Sequence, residues 1–292
     1  MSKRRRNSGS RTERREKVRD VFVARPFEGL ANEADWVALR ELVPAATAPL
    51  RLAPEYAEKY PDREIILATV LPMAWPAMVR GDGTVLVGLQ RQFQSGDVSR
   101  DIAASLLNAL ETEIGQTVGV PALPGPGPRL QDVLADGPLE VTIQTGFDFW
   151  IAPGADEDPS VKSSLEQANE SIYPTERLAA APGAYWCQVP EKAHVRWVLA
   201  EDEDPALDAL ARVSEAGELT LGDGTRFAGM FRAHGLLVPV WDVPVDRPAG
   251  DWEQPLGAVR EAYARHLADA APLTPEQRRA RQGLLGRQFT LR

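Results

Sequence analysis

ELTLGDGTRFAGMFRAHGLLVPVWDVP, residues Glu218 to Pro244, holds the clearest hydrophobic run and the clearest turn signals in the chain. Glu218–Leu221 reads as a short strand and Gly222-Asp223-Gly224 as a tight turn. Asp-Gly supplies the positive-φ backbone that hairpin turns matched to strand twist require. Thr225–Arg232 then reads as the return strand, with Phe227, Gly229 and Phe231 on one face. Leu236–Val240 is continuously apolar, as expected of a strand buried on both faces. Pro239 lacks the N–H that a central strand uses, so it places this strand at an edge or interrupts it. Trp241 and Asp242 close the run, and Pro244 stops it.

The turn has an echo earlier in the chain. Gly81-Asp82-Gly83-Thr84 repeats Gly222-Asp223-Gly224-Thr225, with Gly88 and Arg91 in register with Gly229 and Arg232. A strand-like EIILATVL precedes the first copy and a helix-like DIAASLLNALE follows it. HVRWVLA and GAVREAYARHLADA flank the second. A duplicated unit would give this pattern, and so would two unrelated hairpins using the same favoured turn residues. The expected fold class is α+β, with mixed or antiparallel sheets and flanking helices, and with two related α+β units as an open alternative.

Working outward, the 292 residues suffice for two modest domains or one large one. The chain is 43% apolar and 26% charged, the composition of a globular protein. Its apolar runs are all shorter than the roughly 20 residues of a membrane span. The basic N-terminus lacks the apolar centre of a signal peptide. The single cysteine, Cys187, excludes an intramolecular disulfide and a cysteine-rich zinc site. These features predict a cytoplasmic protein without a membrane partner.

The net charge of −9 is unevenly spread. Met1–Arg19 carries nine Lys or Arg against Glu13 and Glu16, a net +7, which leaves −16 on the rest. Residues 1–20 have no apolar periodicity and read as a disordered basic arm. Its Arg4, Arg5, Arg6, Arg11, Arg14 and Arg15 are candidate nucleic-acid contacts, acting on phosphates without sequence preference. A solvated tail is the plainer reading. The acidic remainder argues against a broad nucleic-acid surface on the fold.

Asn32 is the expected cap of a helix carrying Trp36, Leu39, Leu42 and Val43 on one face. Leu50–Ala53, Glu64–Leu71 and Thr84–Gln90 read as strands, and LPMAWP, residues 71–76, breaks the pattern. Asp97 caps a helix from Val98 to about Glu113. PALPGPGP, residues 121–128, is the best linker. It divides the body into an N-terminal α+β domain, 21–120, and a C-terminal α+β domain, 129–292. Asp158 and Pro159 open a surface helix. Thr274-Pro275-Glu276-Gln277 is a capping box that starts the last one.

Chemistry is thin. His194, His234 and His266 have no ligand spacing on one element, so no metal is expected. Cys187 in a strand-like segment reads as a small core side chain, and its pairing with His194 or His234 as nucleophile and base is the weaker alternative. The chain has no GxSxG, GK[ST] loop or GxGxxG. Asp148 and Asp242, beside Trp150 and Trp241, read as turn and strand-end residues, with a carboxylate cleft as the alternative. No catalytic, cofactor-binding or metal residue is assigned, and no cofactor is expected.

Through DWVALRELVPAAT, LPMAWP, GDVSRDIA, RFAGMFRAHGLLVPVWDVP and RQFTLR, nearly everything after Val21 resembles an uncharacterised actinobacterial family, one named only as a domain of unknown function. The resemblance implies no activity, cofactor or site residue. The leading expectation is a non-catalytic binding or adaptor protein with a protein partner. The alternatives are association with RNA or the ribosome, through the arm with Arg278, Arg279, Arg281 and Arg287, and an enzyme with an inter-domain carboxylate and arginine cleft.

Overall fold

The apolar run at 236–243 is a strand whose alternate side chains enter two cores. Leu236, Val238 and Val240 face one, and Leu237, Trp241 and Val243 face the other. In the computed structural model, which describes residues 18–154 and 158–287, this two-sided burial sets the layering. The first part of the chain runs α1 (Glu33–Glu41), β1 (Ala46–Pro49), α2 (Pro54–Lys59), β2 (Ile65–Val70), β3 (Ala77–Val79), β4 (Val85–Gln90), α3 (Val98–Leu110), α4 (Leu130–Val133) and β5 (Thr142–Ile143). It continues through α5 (Pro159–Asn169), β6 (Thr175–Arg177), β7 (Ala184–Val189), β8 (Lys192–Trp197), α6 (Glu203–Glu215), β9 (Arg226–Ala233), β10 (Leu236–Val243), α7 (Glu253–Leu267) and α8 (Pro275–Leu285).

Two five-stranded sheets result, an α+β architecture. The first has order β3-β4-β2-β1-β5, with β2 and β4 parallel and the other pairs antiparallel. The second, β6-β7-β8-β10-β9, is antiparallel throughout. One core joins Trp36, Val37 and Leu39 of α1 to Leu67 and Val87 of the first sheet and to Tyr185, Phe231 and Val238 of the second. The opposite face of the second sheet packs on α6 and α7 through Trp197, Leu210, Trp241, Trp252 and Val259. The far face of the first sheet buries Ala68, Leu71 and Leu86 beneath Phe149 and Trp150.

Helix α1 is thus the shared wall between the sheets. Its Asp35 is 1% exposed and accepts from Tyr185 Oη at 2.8 Å and Arg177 Nη2 at 2.7 Å. Burial pushes this carboxyl above its ordinary value of 3.8, against the lowering effect of its two partners. Asn32 does not cap α1 with its side chain. It lies at φ 58°, and its Oδ1 accepts from Leu139 N at 3.0 Å instead. The caps at Asp97, Asp158 and Thr274 form as expected, each accepting from a first-turn backbone N–H.

The two GDGT turns are not equivalent. Gly81-Asp82-Gly83 joins β3 to β4, a true hairpin. Glu218–Leu221 forms no strand: Glu218 N donates to Val213 O, closing α6, while Leu219 and Leu221 enter the core as loop residues. The hairpin turn is His234-Gly235, with φ of 47° and 83°, the two positive values of a twist-matched two-residue loop. With different strand order and direction around the two copies, the duplication is set aside.

Further corrections concern the same strands. Pro239 lies in an internal strand, paired with Met230 on one side and one residue before the β8 ladder begins at Val240. On that side the proline interrupts the pairing, as the second of the two sequence alternatives expects, and the next backbone bond beyond it is Leu199 N to Leu237 O at 2.9 Å. Phe227 and Phe231 are not on one face. Register slips beside Gly229, φ 142°, so that Phe227 meets Trp241 edge-on while Phe231 faces the other core. The strand expected at Leu50–Ala53 forms instead at β1, leaving Leu52 in an isolated bridge to Leu134. Residues 121–128 do not separate the two halves, because α4 and β5 beyond them complete the first sheet and its core.

Asp35 links the pH dependence of stability to this junction. With its folded pKa raised, its contribution is fully present below pH 3.8 and is lost as pH rises through the folded value. The urea midpoint of the wild type, measured relative to that of Asp35→Asn, is expected to fall as pH rises across that window. Parallel pH profiles would refute the assignment. At Gly183, φ 71°, an added Cβ would stand 2.7 Å from Ala34 Cβ on α1. Gly183→Ala is expected to cost about 1–3 kcal/mol by chemical denaturation.

Candidate functional site

LPMAWP crosses the end of the first sheet in a strained form. Met73 and Ala74 both lie in the left-handed region, at φ of 56° and 51°. Such residues cost about 1 kcal/mol or more each and persist only where surroundings hold them. Here Ala74 N donates to Leu71 O at 2.8 Å, Gln92 Nε2 donates to Met73 O at 2.7 Å, and Gly88 N donates to Pro76 O at 3.0 Å. Gly88 permits the approach, because a Cβ there would stand 2.9 Å from Trp75 O.

This loop and the segment after β4 enclose a pocket of about 140 Å³, walled by Trp75, Pro76, Phe93 and Val120 with Arg91 among its lining. Large apolar side chains stay exposed around it: Met73 at 80% and Phe93 at 74%. Arg91 Nη2 donates to Ser105 Oγ at 2.8 Å. Its Nε and Nη1 are buried and find no hydrogen-bond partner among the described residues. Burial lowers the Arg91 guanidinium to about 10; Asp101 opposes that shift and Arg40 adds to it. It remains a cation at neutral pH.

Behind the pocket, a polar frame fixes the segment 91–97. Arg40, nearly buried on α1, donates to Leu89 O and Gln94 Oε1. Asp101 accepts from Ser95 Oγ at 2.7 Å, and Val23 N donates to Gly96 O at 2.8 Å. His234 Nε2 is 3.1 Å from Arg40 Nε and 2.8 Å from Glu41 Oε1, and the tautomer decides which contact is the hydrogen bond. The His234 contact holds Glu41 below the ordinary carboxylate range.

The other sequence candidates stay apart. Asp242 pairs with Arg226 and lies 3.1 Å from His194 Nδ1 in the second sheet, while Asp148 belongs to the turn that covers the first. The carboxylate cleft therefore does not assemble from them. Cys187 stands opposite His194 in the β7–β8 ladder, but burial pushes its thiol up, the reverse of an activated nucleophile. Among the described residues no group of three or more His, Cys, Asp or Glu could hold a metal ion. No helix among them is long and apolar enough to cross a membrane. Arg4, Arg5, Arg6, Arg11, Arg14 and Arg15 lie outside the described residues. Arg281 is committed to Asp204 and Asp208, and Arg279 to Glu276.

Sequence reasoning missed Arg91 and Phe93. The one available signal was their position just after a buried strand and opposite a loop that broke the pattern. Fold and pocket together define a two-sheet α+β protein with an apolar, arginine-lined recess at the end of its first sheet. The chain belongs to the family of unknown function DUF5926, which matches residues 26–292 and so includes the whole pocket. No curated protein and no solved structure matches it.

Gly88→Ala tests the support of the loop. It is expected to destabilise the protein by about 1–3 kcal/mol and to speed hydrogen exchange at residue 88, whose amide is bonded to Pro76 O. Unchanged exchange would show that the loop does not depend on this approach.

Proposed function

We propose that the protein is a non-catalytic binding protein whose recognition surface is the pocket of Trp75, Phe93 and Val120. The observation that carries this reading is the exposure of large apolar side chains around a recess formed by a strained, well-held loop. Strain kept at an exposed aromatic site points to preorganised recognition. The ionisable side chain lining the recess is Arg91, a permanent cation at neutral pH. Such a group orients a ligand and does not shuttle protons.

A second proposal, association with RNA or the ribosome through residues 1–20, draws on the +7 charge of Met1–Arg19 within that arm. Next to it in sequence, Asp20 accepts from Gly96 N at 2.7 Å and Val23 N donates to Gly96 O at 2.8 Å, three residues from Phe93.

Affinity capture from native lysate separates the readings. The baits are the full chain, a form lacking residues 1–20, and Trp75→Ala/Phe93→Ala. The binding proposal expects an identified partner retained by the truncated form and reduced about tenfold or more by the double variant. Ribosomal or nucleic-acid material lost with the arm, and lost at raised salt, favours the second reading. Turnover of a common substrate class by the purified protein overturns the first.

A further inference from the structure

The recess is the size of one ring and carries one under-used cation, and that combination names a ligand class. A cavity of about 150 Å³ accommodates a benzene ring, and the space beside Trp75 and Phe93 is about 140 Å³. Arg91 makes no ion pair within 4.0 Å among the described residues, and Nε and Nη1 donate to nothing. Leaving buried donors of a charged group unmet is costly, and an anionic acceptor recovers most of that cost. The body of the protein is strongly acidic, so a singly charged ligand is repelled less than a polyphosphate.

We propose that this pocket binds a monocarboxylate borne on one aromatic ring or a short branched aliphatic group, the carboxylate accepting from Arg91 and the apolar group lying between Trp75 and Phe93. The inference deepens the binding reading and rests on it. The same chemistry comes from a free small acid or from the C-terminal residue of a peptide chain.

The test is titration of the full-length protein, followed by calorimetry and by indole and backbone NMR shifts. The probes are 3-phenylpropionate, its amide, and a short peptide ending in phenylalanine as the free acid or as the amide. Saturable binding of an acid form, about tenfold or more tighter than the matching amide, is expected. Shifts should concentrate at the Trp75 indole and at residues 91–93. Tighter binding of the peptide acid than of 3-phenylpropionate identifies a chain terminus as the source, and the reverse order identifies a free acid. Arg91→Met should abolish the preference for acid over amide. If that variant does not fold, Arg91→Lys and the wild-type comparison decide the matter.

Equal affinity for acid and amide, or no saturation of the wild type by about 10 mM, overturns the carboxylate assignment. The binding proposal fails separately, if the captured partner is indifferent to Trp75→Ala/Phe93→Ala.

Discussion

A nine-residue helix held between two sheets is the constraint on which the rest of the structure depends. Helix α1 offers Trp36, Val37 and Leu39 to a core shared by both sheets, and it places Asp35 where Tyr185 and Arg177 of the second sheet reach it. Burying a carboxylate is expensive, and the two donors offset that cost only in one relative placement of helix and sheet. Gly183 lets the backbone approach Ala34 at the same junction. The next residue but four along the helix, Arg40, ties the end of β4 and the segment after it. The junction and the pocket are therefore two ends of one short helix.

The pocket illustrates how a fold concentrates unfavourable terms in one place. Ala74 in left-handed geometry beside the equally left-handed Met73, the exposed Phe93, and Arg91 with two guanidinium donors unmet among the described residues all lie in the lining of one recess or directly next to it. Each is a local cost that the well-packed cores on either side carry. Elsewhere the charged groups are mostly matched, as in Arg25 with Glu33 at 2.7 Å or Arg281 with Asp208 at 2.7 Å. The contrast, rather than any single residue, sets the recess apart from the rest of the described surface and supports the binding proposal.

Periodicity and capping chemistry are local, and they determined much of the architecture. The unbroken apolar run at Leu236–Val240 announced a strand buried on both faces. Asp97, Asp158 and Thr274 announced three helix starts, and LPMAWP announced a break. Asp-Gly announced a turn, but a turn signal does not say which strand will be its partner. At Gly81-Asp82-Gly83 a strand was available on each side; at Gly222-Asp223-Gly224 the preceding residues were drawn into closing α6. Pro239 and the slip beside Gly229 show the same limit, since the length of a neighbouring ladder is not written in the strand itself.

By itself, then, the sequence determined an α+β chain, the two-sided burial of its strongest strand, the acidic body with its basic arm, and family membership. Only the tertiary structure decided that β5 crosses back beyond the proline-rich segment to finish the first sheet, that Asp148 and Asp242 stay apart, and that Trp75, Arg91 and Phe93 line one recess. The physical reason is that propensity and pattern report on the next few residues, whereas an unmet donor exists only once every potential acceptor has been placed. Arg91 has the same composition and spacing as any surface arginine; its burial against α3, with Ser105 as its one hydrogen-bonded partner among the described residues, is a property of the packed chain.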